Sequence, residues 1–211
     1  MYSLNFVKII IIENLSNGGC KVKFRILLLL LVTVVFLLTA CGGIKNPHKW
    51  PVSDFTYTDQ NGESFGLQDL KGKVWVANLI FTNCEDVCLP MTANMKKLQD
   101  ETKKEGIENI QFVSFSVDPE FDKPQVLHDF GSQFSADYSN WHFLTGYNQS
   151  DIEKFALETF KTWVKKPEAG DQIIHGTSFY LVDAEGKVMK DYSGLADIPM
   201  EQIIKDIKSL Q

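Results

Sequence analysis

The sequence predicts a mixed α/β domain in which parallel strands joined by helices lie beside antiparallel edges. Three observations carry this. Residues 74–81 form an apolar run rich in β-formers, bounded by Gly72 and a polar loop, and a helical pattern follows it directly. Strand-like and helix-like segments then alternate to about residue 160. Hairpin signals stand at both ends of that series.

Taken in order, residues 55–57 and 64–65 flank Asp59-Gln60-Asn61-Gly62, a strong turn signal. Residues 67–70 suit a single helical turn, and Lys71-Gly72-Lys73 leads into the central strand. After the loop carrying Cys84 and Cys88, a helix is expected from near Leu89 to about Lys104. Pro90 suits its first turn and Gly106 its end. Residues 110–117 read as a second strand, with Val113, Phe115 and Val117 alternating against Ser114 and Ser116. Pro124 opens a helix burying Val126, Leu127, Phe130 and Phe134, and residues 141–144 form a third strand. Ser150 and Glu153 have the spacing of a capping box ahead of a helix that buries Ile152, Phe155, Ala156 and Phe160. A strand near residues 162–164 and a loop over 165–174 follow. Residues 179–182 and 188–192 read as a hairpin, and Pro199 begins a last helix carrying Ile203, Ile204, Ile207 and Leu210. This order is thioredoxin-like, with an N-terminal β-hairpin and an inserted helix and strand. No internal repeat or low-complexity tract interrupts it.

The N-terminus reads as a targeting segment over residues 1–41, followed by a tether over 42–53 and the folded domain over 54–211. Lys21, Lys23 and Arg25 precede thirteen residues, 26–38, that are apolar except for Thr33. The run is short for a bilayer span and has the length of a signal-peptide core. It ends in Leu38-Thr39-Ala40-Cys41-Gly42, which resembles the bacterial lipobox; Cys41 is then the lipidated residue, and an uncleaved signal anchor is the alternative. Residues 1–20 fit neither reading, and translation from near Val22 would explain them.

Composition narrows the function. From Gly42 onward the chain has 17 lysines, no arginine and 26 acidic residues, a net charge near −9. Nucleic-acid recognition needs a basic footprint, so nucleic acid is excluded as a partner. With Cys20 and Cys41 in the targeting segment, Cys84 and Cys88 are the only thiols of the domain. A bridge between them closes too small a loop to staple a fold of this size, which points to redox or metal chemistry. At the carboxyl edge of a strand and the start of a helix they sit where open α/β sheets place sites and where a helix N-terminus favours thiolate. Residues four apart on a helix lie about 6 Å apart along its axis on one face, close enough to bridge or to share an ion. The spacing alone leaves both open.

Histidine separates them. His48 falls in the tether, His128 on a helix flank and His142 on a strand with its ring expected outward. His175, just before a strand, falls in the loop that a thioredoxin-like fold sets beside the cysteine loop. Gly176 stands near the position where that fold usually carries a cis-proline. Two thiolates and an imidazole make a soft donor set suited to Cu(I), to Cu(II) with one further donor, or to zinc. Glu85 and Asp86 disfavour thiolates but help neutralise a bound cation.

Phe81-Thr82-Asn83-Cys84-Glu85-Asp86-Val87-Cys88, Ser116-Val117-Asp118-Pro119-Glu120, and His175 ahead of Phe179-Tyr180-Leu181-Val182 together resemble the Sco/SenC family. Its members are membrane-tethered, thioredoxin-like copper proteins that assist assembly of the dinuclear copper centre of cytochrome c oxidase subunit II. The resemblance runs from about Pro51 to the C-terminus. It implies copper, as Cu(I) or Cu(II), held by Cys84, Cys88 and His175, with Asp118 orienting the cysteine loop or binding metal transiently. Leu89 departs from the pattern, because many members place proline directly after the second cysteine. The implied role is a copper chaperone for subunit II, anchored to the membrane through Cys41 with its domain on the extracytoplasmic face. The alternative is a thiol–disulfide oxidoreductase, with Cys84 and Cys88 as its redox dithiol, that reduces that subunit's cysteines. A peroxiredoxin-type peroxidase is disfavoured, since such sites need an arginine and the domain has none.

Overall fold

The central strand, β4 (Val74–Ile80), is buried at all seven positions. A run apolar on both faces is stable only where both faces of its sheet are covered, and the rest of the domain supplies that cover. The computed structural model describes residues 43–84, 86–170 and 172–211, so the targeting segment and Cys41 lie outside the described residues.

Six strands form the main sheet in the order β1-β8-β7-β4-β5-β6: β1 (Trp50–Pro51), β8 (Lys187–Ser193), β7 (Ser178–Val182), β4, β5 (Ile110–Ser116) and β6 (Trp141–Leu144). β4, β5 and β6 are parallel, with Val74 opposite Ile110 and Phe112 opposite Trp141. β7 runs antiparallel to both β4 and β8. The hairpin of β2 (Thr56–Thr58) and β3 (Ser64–Gly66) stands apart and joins the end of β6 through a Thr58–Thr145 bridge. Asp59 closes its turn by accepting the Asn61 and Glu63 N–H groups at 2.8 and 2.9 Å, and Gly62 supplies the positive φ of +80°.

Helix α1 (Cys88–Lys104) follows β4 and packs against the last helix, α4 (Met200–Leu210). Helix α2 (Pro124–Gln133) covers β6, and α3 (Gln149–Phe160) reaches β1. Phe115 gathers Phe55, Tyr57, Phe155 and Phe160 around it at ring distances of 5.0–6.4 Å. Inside the sheet, Trp141 Nε1 donates to Ser114 Oγ at 2.9 Å, and Ser114 Oγ donates to Asn78 Oδ1 at 2.7 Å.

The structure departs from the sequence expectations at four places. Within the expected tether, Trp50 and Pro51 form an edge strand on β8 and Val52 is buried, so the sheet claims the last residues before 54. No strand forms at 162–164: Lys161 turns into the left-handed region at φ +55°, Trp163 faces solvent, and one bridge, Lys165–Ile174, closes the loop instead. The cap of helix α3 falls two residues earlier than the Ser150–Glu153 box, with Asp151 accepting the Asn148 N–H at 3.3 Å. His142 does not stand in solvent; its ring stacks on Phe65 at 3.9 Å. His48, on the approach to β1, stacks on Trp50 and bonds Asp191 at 2.8 Å, while His128 stacks on Tyr138 on a helix flank as expected.

Candidate metal centre

Leaving β4, the chain turns through Thr82 and Asn83 to Cys84 and enters α1 at Cys88. The first N–H groups of a helix have no partner within it. Here the Cys88 N–H is spent on the Cys84 sulfur, 3.4 Å away. Pro90 falls within the first turn, where its missing N–H costs nothing.

His175 arrives from the opposite loop, just before β7. Its Nδ1 lies 2.9 Å from the Gly176 carbonyl, which can only accept, so Nδ1 carries a proton. That leaves Nε2 facing the thiols, 3.4 Å from Cys88 Sγ. The Phe81 ring meets the imidazole edge-on at 5.7 Å, and Gln172 Nε2 donates to the Asn83 carbonyl at 3.1 Å, tying the two loops together. Gly176 permits the approach: a Cβ there would lie 2.4 Å from Thr162 Oγ1. The ligand atoms of Cys84, Cys88 and His175 all fall within 4.8 Å of one another.

The two sulfurs are electrostatically unequal. Burial pushes the Cys84 thiol up, but its contacts with His175, with the Cys88 thiol and with the Cys88 and Asp86 N–H groups outweigh it and hold the pKa at about 6. Burial raises Cys88 strongly, and its role as donor to Cys84 raises it further. The pair therefore carries one thiolate and one thiol near neutral pH, with both cysteines free. A cation binding there displaces the second proton.

Asp118 is not in this cluster. Its carboxylate pairs with Lys166 Nζ at 3.0 Å, and its N–H donates to Ser116 Oγ at 3.0 Å. The carboxyl group that reaches the cysteine loop is Asp122, fully buried, which accepts Thr82 Oγ1 and Ser116 Oγ at 2.5 Å each. Burial pushes its pKa up, against those hydrogen bonds. Sequence reasoning passed over Asp122. The available signal was a second aspartate four residues beyond Asp118, at the end of a buried strand. Asp86 is exposed beside the site.

A free dithiol with an imidazole between its loops, at the carboxyl edge of a thioredoxin-like sheet, defines a soft-metal or redox domain. The chain belongs to the SCO1/SenC family, whose model matches residues 45–211. It is 52% identical to the SCO1 protein homolog of Bacillus subtilis over 179 residues, 83% of this chain and 92% of that protein. The crystal structure of a SCO1/SenC family lipoprotein from Bacillus anthracis matches with a TM-score of 0.77 and 55% identity, covering 80% of this chain and 99% of that one. A structure of BsSco, described as a member of the Sco family of cytochrome c oxidase assembly proteins with a disulfide switch, matches with a TM-score of 0.74 and 52% identity, covering 80% and 97%. Among the described residues, no helix is long and apolar enough to cross a membrane.

Proposed function

We propose that this protein is a copper chaperone. It takes up copper through Cys84, Cys88 and His175 and passes it to the dinuclear copper centre of cytochrome c oxidase subunit II. The observation that carries the reading is the convergence of two sulfurs and one imidazole within 4.8 Å. Such a set suits a soft ion, with Cu(I) favoured by the thiolates and Cu(II) accessible through the imidazole. Copper is cargo here, and the residues' work is to bind and release it. The Gly176 carbonyl holds the His175 tautomer that leaves Nε2 available. The Cys84 thiolate is present before any metal arrives. Lipidation at Cys41 and a domain on the extracytoplasmic face complete the proposal, supported by the lipobox-like sequence and by the description of the Bacillus anthracis neighbour as a lipoprotein. Asp118 belongs to the proposal as a supporting residue that pairs with Lys166 beside the cluster.

A second reading, thiol–disulfide exchange with the partner's cysteines, draws support from the unequal thiols: a low-pKa Cys84 as nucleophile and a protonated Cys88 to resolve the mixed disulfide. The two readings separate at His175. Copper titration of reduced residues 43–211 should give one tight equivalent, and His175→Ala should abolish it while leaving disulfide exchange at neutral pH largely intact. Equal copper affinity in parent and variant would overturn the chaperone reading and leave the dithiol.

A further inference from the structure

Asp122 is a costly group. It is completely buried, and the lysine of this corner, Lys166, pairs with Asp118 and Glu120 instead. A carboxyl group desolvated without a cation partner persists only where hydrogen bonds satisfy it. Here three donors converge on it. The Thr82 hydroxyl reaches one oxygen at 2.5 Å, the Ser116 hydroxyl the other at 2.5 Å, and the Thr82 N–H both at 3.3 Å. Thr82 lies two residues before Cys84, and Ser116 ends β5. A second strut, Val117 N–H to the Ile80 carbonyl at 2.7 Å, fixes the strand ends behind them. The turn from Asp118 to Asp122 is set by its own backbone bond, Asp122 N–H to Asp118 carbonyl at 2.8 Å.

We propose that Asp122 is a positioning residue for the dithiol: its carboxyl group clamps Thr82 to the end of β5 and so holds Cys84 within closing distance of Cys88. The clamp acts on the thiols themselves, so it rests on the reading of Cys84 and Cys88 as a working pair and not on the identity of the cargo. An amide reproduces only half of the clamp: its one oxygen can hold Thr82, but its NH2 meets the Ser116 hydroxyl as a donor, so the bond that Ser116 gives to the carboxylate is lost. Loosening the loop lowers the effective concentration of one sulfur at the other. The equilibrium protein disulfide + 2 glutathione ⇌ protein dithiol + glutathione disulfide then shifts to the right. In it the protein S–S bond takes up two electrons and two protons, and the glutathione sulfurs supply them.

The test equilibrates the full-length chain in detergent with glutathione buffers at pH 7, traps thiols by alkylation, and reads the peptide carrying Cys84 and Cys88 by mass spectrometry. Asp122→Asn should shift the equilibrium constant toward dithiol by about tenfold, equivalent to about 30 mV. Thr82→Val, nearly isosteric but lacking the hydroxyl, should shift it by about threefold, as expected for part of a hydrogen bond to a charged group. Thr82→Ser keeps the donor and should match the parent. Ile207→Val, a mild core change in α4, controls for general loss of stability. Should Asp122→Asn fail to fold, the Thr82 pair decides. Parental values in Asp122→Asn and Thr82→Val, or equal shifts in Thr82→Ser or in Ile207→Val, overturn the clamp. A parent that forms no Cys84–Cys88 disulfide in any buffer overturns the dithiol reading itself.

Discussion

Cys84 should titrate well below an ordinary thiol, and the size of the effect can be worked through. Its pKa is held at about 6, with His175 the leading stabilising partner. At pH 7 it is then about nine-tenths thiolate, against about 3% for a free cysteine near 8.5. That thirtyfold gain is nearly cancelled, because a Brønsted slope of about 0.45 over about 2.5 units costs about thirteenfold in nucleophilicity. Reactivity at pH 7 should therefore exceed that of a free cysteine by only about twofold. At pH 5.5 the ionised fractions become about 24% and about 0.1%, and after the same penalty Cys84 keeps an advantage of about twentyfold. The assay is the rate of reaction with a neutral aromatic disulfide across pH 4.5–9, on residues 43–211 carrying Cys88→Ser. This leaves one thiol and keeps a hydroxyl donor beside it. The rate should fall as pH drops through about 6 and stay flat above, and His175→Ala should move the midpoint upward. A parental midpoint of 8 or higher refutes the electrostatic account of the site.

Gly176→Ala should destabilise the domain by about 1–3 kcal/mol in urea titration, since the new Cβ would meet Thr162 Oγ1 at 2.4 Å and the loop must shift. The same variant should weaken copper binding, because His175 moves with that backbone. Ser114→Ala should cost about 1–3 kcal/mol by leaving Asn78 and Trp141 without their shared buried partner. Asp151→Ala should cost about 1 kcal/mol at the start of α3, and Ser150→Ala close to nothing, as read by thermal unfolding.

How much of this was legible in the sequence depended on how local the cause was. The seven buried residues of β4, the alternation in β5 and the apolar stripe of α4 are local patterns, and the strands and helices they specify formed within a residue or two. The approach of His175 to Cys88 was readable only through the fold class, because 87 positions separate the two. Trp50 and Pro51 carry too short a strand to show a period, and only pairing with β8 defines it. The cap at α3 escaped because Asn148 and Asp151 compete with Ser150 and Glu153 two residues on, and propensity does not rank them. Asp122 escaped because its partners, Thr82 and Ser116, belong to two other segments.

The depths of the two sulfurs have a consequence for traffic through the site. Cys84 keeps 8% of its surface open, whereas Cys88 has none. Under the proposed copper relay, an incoming ligand therefore has the half-buried His175 ring and the Cys84 sulfur within reach, and the Cys88 sulfur is the last to be released.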